Sequence, residues 1–119
     1  MEFGTLTITY PDQHEEIFLL TKTTVRIGRT PDNDIVLNDE RISRHHAEIL
    51  CDERGLSIFD RGSTNGIRVD GFRPAAEQVV PLDEGSTIEI SRIRLVVSLG
   101  PSTTSGAAAR GLQQATFQA

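Results

Sequence analysis

Residues 47–60 read AEILCDERGLSIFD and contain the pattern that decides the fold. Ala47, Ile49 and Cys51 alternate with residues that point the other way, which is the two-residue period of a strand. The segment 52–55, Asp-Glu-Arg-Gly, is a turn signal, and a second apolar strand candidate follows it. The stretch therefore predicts a β-hairpin, with Cys51 buried in the core on the face that it shares with Ala47 and Ile49.

Short strand candidates recur on both sides of this hairpin. They are 5–10, 16–20, 24–28, 67–69, 78–80, 87–90 and 93–99. No stretch shows a helical stripe of three turns, so an α/β enzyme fold with crossover helices is disfavoured. Many short strands separated by turn signals predict an all-β sandwich or barrel.

Length, charge and cysteine content exclude several classes of protein. A chain of 119 residues predicts one domain that can bury a core without metals or disulfides. Twelve basic and 17 acidic residues leave a net charge of −5, which argues against nucleic acid as a partner. A single cysteine excludes a disulfide framework and a multi-cysteine zinc site. The longest apolar run, 17–20, is too short to cross a bilayer, so we expect a cytoplasmic protein with no membrane partner.

The composition changes near residue 100. We predict a domain at 1–99 and a linker-like tail at 100–119, whose one charged residue is Arg110. The tail holds three threonines, Thr103, Thr104 and Thr116, that a kinase could modify. A phosphorylated tail would be able to dock into its own site or that of a neighbouring chain. The alternative is a plain linker to a further domain.

Three loops carry more chemistry than a turn requires. In the segment 28–34 a strand-closing glycine precedes an arginine, and in 39–46 two arginines flank a serine. In 61–66 a Ser-Thr-Asn-Gly run combines two hydroxyls with an amide. Arginine forks and hydroxyl donors from several directions are what a phosphate dianion needs. Each loop taken alone also has a plainer interpretation. Segment 28–34 fits a loop with a solvated arginine, and 39–46 fits a loop whose arginines are neutralised by Asp39 and Glu40. Segment 61–66 fits a tight Asn-Gly hairpin turn.

Catalytic and metal-binding motifs are weak. Ser43 and His46 lie three residues apart, but the sequence has no Gly-x-Ser-x-Gly elbow and no third residue to orient the histidine. Adjacent His45 and His46 would face opposite sides of a strand, which argues against metal chelation. There is no Walker loop and no dinucleotide fingerprint. We therefore expect no enzyme activity, catalytic residue, cofactor or metal, and a small serine hydrolase is the least supported alternative.

Taken together, four segments resemble the forkhead-associated (FHA) domain family over roughly residues 5–98. They are Val-Arg-Ile-Gly-Arg at 25–29, Asp-Ile-Val-Leu at 34–37, Ser-Arg-His-His-Ala-Glu-Ile at 43–49 and Asp-Arg-Gly-Ser-Thr-Asn-Gly at 60–66. The resemblance implies an FHA-type β-sandwich of two sheets, about eleven short strands, with binding loops at one end. It also implies a module that binds phosphothreonine proteins or peptides in Ser/Thr kinase signalling.

The resemblance also implies roles for individual residues. Arg29, Ser43, Arg44 and Thr64 would hold the phosphate, and Asn65 would hydrogen-bond the ligand backbone. The alternative is a phosphate-independent interaction or dimerisation domain on the same scaffold, which has no need of an arginine, a serine and an asparagine together.

Four further positions match the family pattern. His46 would tie the binding loops together from behind, and Gly28 and Gly66 would shape the backbone. Arg41 would select an acidic residue three places after the phosphothreonine.

Overall fold

The computed structural model describes residues 2–99, which form an all-β sandwich. Its ten strands are β1 (Gly4–Thr9), β2 (Glu15–Leu20), β3 (Thr24–Gly28), β4 (Ile35–Val36), β5 (Ala47–Asp52), β6 (Gly55–Asp60), β7 (Arg68–Val69), β8 (Val80–Leu82), β9 (Thr87–Ile90) and β10 (Ile93–Leu99). One sheet has the order β2-β1-β10-β9-β7 and the other β4-β3-β5-β6-β8. The predicted fold class is confirmed. The tail at 100–119, with its predicted linker and docking roles, lies outside the described residues.

Both sheets contribute alternate residues to a single hydrophobic core. Strand β1 buries Leu6 and Ile8, and strand β5 buries Ile49 and Cys51. Cys51 is 3% exposed, and burial raises the pKa of its thiol to about 11, with a smaller effect from the nearby Asp52 carboxylate. The predicted core position of this cysteine is confirmed.

The strand register places three loops at the same end of the sandwich. Ala47, the first residue of β5, pairs with Ile27 near the end of β3 and with Asp60 at the end of β6. The loops that follow β3, precede β5 and follow β6 therefore leave from neighbouring positions. We call this the loop end, and the turns β5–β6 and β8–β9 lie at the opposite end.

Three details differ from the sequence prediction. The family resemblance implied about eleven strands, whereas residues 2–99 form ten, with one isolated bridge between Val69 and Phe72. Strand β8 begins at Val80 rather than Gln78, since Gln78 closes a turn onto Ala75. The two-residue strand β4, parallel to β3, was not predicted from its residues.

Candidate functional site

Arg29 leaves the end of β3 with its backbone and side chain both anchored to the β4–β5 loop. Its N–H donates to the carbonyls of Ser43 (3.1 Å) and Arg44 (3.2 Å), and its Nε donates to the carbonyl of Ile42 (2.9 Å). The terminal guanidinium nitrogens of Arg29 form no ion pair in the described chain. Gly28 permits this closeness, because a Cβ there would press against the Arg44 carbonyl oxygen.

Ser43 and Thr64 meet in front of a buried histidine. The Ser43 Oγ accepts from the Thr64 N–H (3.2 Å), so its own proton remains available to a ligand. His46 is fully buried, and its Nδ1 accepts from the Ser43 N–H (3.0 Å). Its Nε2 therefore carries the proton and donates to the carbonyl of Gly66 (2.8 Å). One imidazole thus holds the β4–β5 and β6–β7 loops together.

Asn65 joins the same two loops at the surface. Its Nδ2 donates to the carbonyl of Arg41 (2.8 Å), which leaves Oδ1 open as an acceptor. Asp39 does not neutralise Arg41 by an ion pair: its carboxylate accepts from the Arg41 backbone N–H (2.9 Å) and from the Ser91 hydroxyl (3.4 Å). The exposed Arg41 guanidinium pairs with no carboxylate among residues 2–99.

Arg44 contributes an anchored backbone and an exposed side chain. Its carbonyl accepts from Arg29, from the Thr30 hydroxyl (3.3 Å) and from the Asn33 amide (2.7 Å). Asn33, only 7% exposed, also bonds the Thr30 carbonyl (2.9 Å). The sequence prediction missed Asn33, because an asparagine within Pro-Asp-Asn-Asp is also typical of an exposed turn.

Asp60 is a second buried residue that the sequence prediction missed. Its Oδ1 accepts from the Ser63 N–H (3.2 Å), and the Ser63 Oγ accepts from the Gly66 N–H (2.9 Å). Ser63 therefore shapes the turn that presents Thr64 and Asn65. The signal was present in the sequence, since an aspartate three residues before a serine in a glycine-containing loop suits such a turn.

His45 turns outward, away from His46, and bonds the Asp32 carboxylate (2.7 Å). Hydrogen bonds from the Thr30 hydroxyl and then from His45 lower the pKa of Asp32 to about 2. This network braces the β3–β4 loop beside Arg29. Within residues 2–99 no group of three or more His, Cys, Asp or Glu side chains is placed to hold a metal ion, and no helix there could span a membrane.

Comparison with known proteins identifies the family. The FHA-domain model matches residues 25–91, so the chain belongs to the FHA-domain family. The chain is 41% identical over 85 residues to an oxoglutarate dehydrogenase inhibitor of Corynebacterium efficiens, covering 71% of this chain and 58% of that protein. It is 40% identical over 86 residues to the glycogen accumulation regulator GarA of Mycolicibacterium smegmatis, covering 72% and 52%. It spans a little over half the length of these curated relatives.

A solved structure with the same fold contains a bound phosphopeptide. The chain is similar to Mycobacterium tuberculosis EmbR in complex with a low affinity phosphopeptide, with a TM-score of 0.73 and 30% identity over 84% of this chain and 26% of that chain. FHA domains as a family act in phosphothreonine-dependent interactions. The predicted family is confirmed.

Proposed function

We propose that this chain is a phosphothreonine-dependent peptide-binding module without catalytic activity. The observation that carries the proposal is the convergence of Arg29 and Ser43 through the β4–β5 loop. Arg29 is bonded to this loop through its N–H, which donates to the Ser43 carbonyl (3.1 Å), and through its Nε, which donates to the Ile42 carbonyl (2.9 Å). The Ser43 Oγ in turn accepts from the Thr64 N–H (3.2 Å). These groups offer charge and donors from different loops, as a phosphate requires.

The assigned roles follow from what each side chain has left to offer. Arg29, Ser43, Arg44 and Thr64 hold the phosphate, and the free Oδ1 of Asn65 accepts from a ligand backbone N–H. Gly28, His46 and Gly66 keep the loops in place, and no metal or cofactor takes part. The partner is a phosphothreonine protein of a Ser/Thr kinase pathway, and cytoplasmic localisation stays a prediction.

The expected affinity suits a reversible contact. A phosphothreonine brings a charge of about −1.5 to −2, and each hydrogen bond to a charged group contributes about 1.5–3 kcal/mol. Three such bonds total roughly 5–9 kcal/mol before the ordering costs of association. Backbone contacts through Asn65 offset part of those costs. We expect dissociation constants on the order of micromolar, which is about −8 kcal/mol.

The experiment begins with a library of phosphothreonine peptides, from which the best-bound sequence is made with phosphothreonine, phosphoserine or plain threonine. Arg29→Ala, Ser43→Ala and Asn65→Ala should each weaken phosphothreonine binding by about 1–3 kcal/mol and leave the fold intact. Arg29→Lys tests the bidentate fork with the charge retained, and Arg54→Lys in the opposite turn is its matched control. Equal binding of the plain threonine peptide, or wild-type affinity of the Arg29 variants, would favour a phosphate-independent scaffold instead.

A further inference from the structure

A row of charged side chains crosses the outer face of one sheet beside the candidate site. The register places Arg68 of β7 opposite Glu89 of β9, and Glu89 opposite Arg94 of β10. The neighbouring residues in each strand are buried, so these three side chains stand on the outer face. Arg68 and Arg94 are exposed.

Two more arginines extend this row toward the loop end. The Arg73 guanidinium lies over Gly66, where a Cβ would be only 2.6 Å from the Arg73 Nε. Arg73 therefore reaches within one residue of Asn65. Arg92 occupies the two-residue turn between β9 and β10 at the same end. Arg68, Arg73, Arg92 and Arg94 are called the arginine face below.

Two adjoining grooves connect the arginine face to the candidate site. One runs from Asn65 past Arg68 and Arg73 to Glu89 and Ser91. The other also begins at Glu89 and Ser91 and continues along Arg92 and Arg94 to the β1–β2 turn. A ligand that leaves Asn65 can therefore follow a continuous depression across the sheet.

The charge of the arginine face is opposite to that of the chain. The chain carries −5, whereas this face has four arginines and one carboxylate, Glu89, in the lining of its grooves. The carboxylates of Glu15, Glu16 and Asp39 lie at the groove edges, where they accept from the hydroxyls of Thr9, Tyr10 and Ser91. None of the four arginines forms an ion pair with a described carboxylate. Unpaired positive charge next to a ligand site favours a ligand of negative charge.

We propose that the arginine face binds an acidic segment of the phosphorylated ligand, at the residues beyond the third after the phosphothreonine. This inference rests on the proposed function. Arg41, predicted to meet the third residue, is bonded through its carbonyl to Asn65, where the first groove begins. An extended peptide advances about 3.3 Å per residue, so four more residues cover about 13 Å. Arg68 and Arg94 are two strand spacings apart, about 10 Å, which such a segment spans.

The test compares three forms of the library-selected phosphothreonine peptide by fluorescence anisotropy, at low and at high salt. One carries glutamate at positions four to seven after the phosphothreonine, the second carries glutamine there, and the third places the glutamates before the phosphothreonine. The double variant Arg68→Gln/Arg94→Gln leaves Arg73 over Gly66. Its matched control, Arg26→Gln/Arg54→Gln, removes the same charge from exposed positions elsewhere.

The wild-type chain should bind the glutamate peptide about three- to tenfold more tightly than the glutamine peptide at low salt, because two exposed pairs are gained. High salt should reduce this ratio. The Arg68/Arg94 variant should bring the ratio close to one without changing affinity for the glutamine peptide, and the control variant should keep it. Three results would overturn this inference and leave the proposed function standing. They are equal binding of the glutamate and glutamine peptides by the wild type, an unchanged ratio in the Arg68/Arg94 variant, and equal tightening by glutamates placed before the phosphothreonine. Failure of the glutamine phosphopeptide to bind would overturn the proposed function and, with it, the inference.

Discussion

At the loop end, loops that are far apart in sequence hydrogen-bond to one another, whereas the β5–β6 turn at the opposite end closes on itself. Thr64 bonds to Ser43, and His46 bonds to Gly66, across 20 or more residues of sequence. In the opposite turn at 52–55, the Asp52 carboxylate accepts from Arg54 and Gly55, its near neighbours. The loop end is therefore held by tertiary hydrogen bonds, whereas the β5–β6 turn is local. The β8–β9 turn lies between these cases, since the Gly85 N–H donates to the Val97 carbonyl (2.8 Å) of β10.

The two ends also differ in charge. The opposite turns carry four exposed acids, Asp52, Glu53, Asp83 and Glu84. The loop end carries acids as well, Asp32, Asp39 and Glu40. It also carries Arg29, Arg41 and Arg44, none of them in an ion pair within the described chain, with the arginine face beside them. A net charge of −5 alone would repel a phosphopeptide, so binding of an anion at the loop end depends on these local arginines rather than on the overall charge.

The largest effect should come from removing the imidazole that joins the loops. His46→Ala leaves the Ser43 N–H and the Gly66 carbonyl unpaired, at about 1–3 kcal/mol each, so we expect a loss of roughly 2–6 kcal/mol in unfolding free energy. Phosphopeptide affinity should fall with it. Exposed His45→Ala is the control and should cost less than about 0.5 kcal/mol. Chemical denaturation measures both, and an unchanged stability with reduced binding would place His46 in direct contact with the ligand.

Glycine replacement at each end should give the next largest contrast. Gly28→Ala forces a methyl group against the Arg44 carbonyl, and we expect a loss of about 3 kcal/mol in unfolding free energy together with peptide binding. Gly85→Ala in the opposite turn meets open space and strains only the backbone, with φ at 80°, so about 1 kcal/mol is expected and binding should persist. Similar losses in the two variants would show that the loop end is no more tightly constrained than the opposite end.

A smaller effect concerns ligand choice at Arg41. A peptide with aspartate three residues after the phosphothreonine should bind more tightly than its alanine counterpart by about 0.2–1 kcal/mol, because the pair would be exposed. The preference should shrink at high salt. Arg41→Gln should abolish it while Arg54→Gln leaves it intact. Equal affinities for the two peptides at low salt would leave Arg41 as a solvated charge.

The smallest effect is a pH response of the β3–β4 loop. The pKa of Asp32 is lowered to about 2, first by the Thr30 hydroxyl and then by His45. Because the folded pKa lies below the unfolded value of about 3.8, the stabilisation is present above pH 4 and is lost as the pH falls through about 2. Carboxyl titration by NMR should show this midpoint. Thr30→Val should raise it and Thr30→Ser should not; an unshifted midpoint in the wild type would contradict the network.

The sequence determined the strands and the local turns of this protein. Alternation at Ala47, Ile49 and Cys51 is enough to assign a buried face, because side chains of a strand alternate sides. The bounds 24–28, 87–90 and 93–99 agree with β3, β9 and β10. Prediction was weaker at β8, where a glutamate with positive φ, Glu77, leads into a turn that the apolar pattern did not show.

The tertiary structure decided which polar residues meet. The strand period does not tell which of His45 and His46 is buried, although the family resemblance singled out His46. In the structure His45 is exposed and bonds Asp32, whereas His46 is buried and bonds Gly66. The local sequence around Asn33 likewise indicates only a turn, whereas in the structure its amide donates to the Arg44 carbonyl. Each of these partners lies 11 or more residues away, so no local pattern contains it. The loops meet only because the register of β3, β5 and β6 brings their ends side by side.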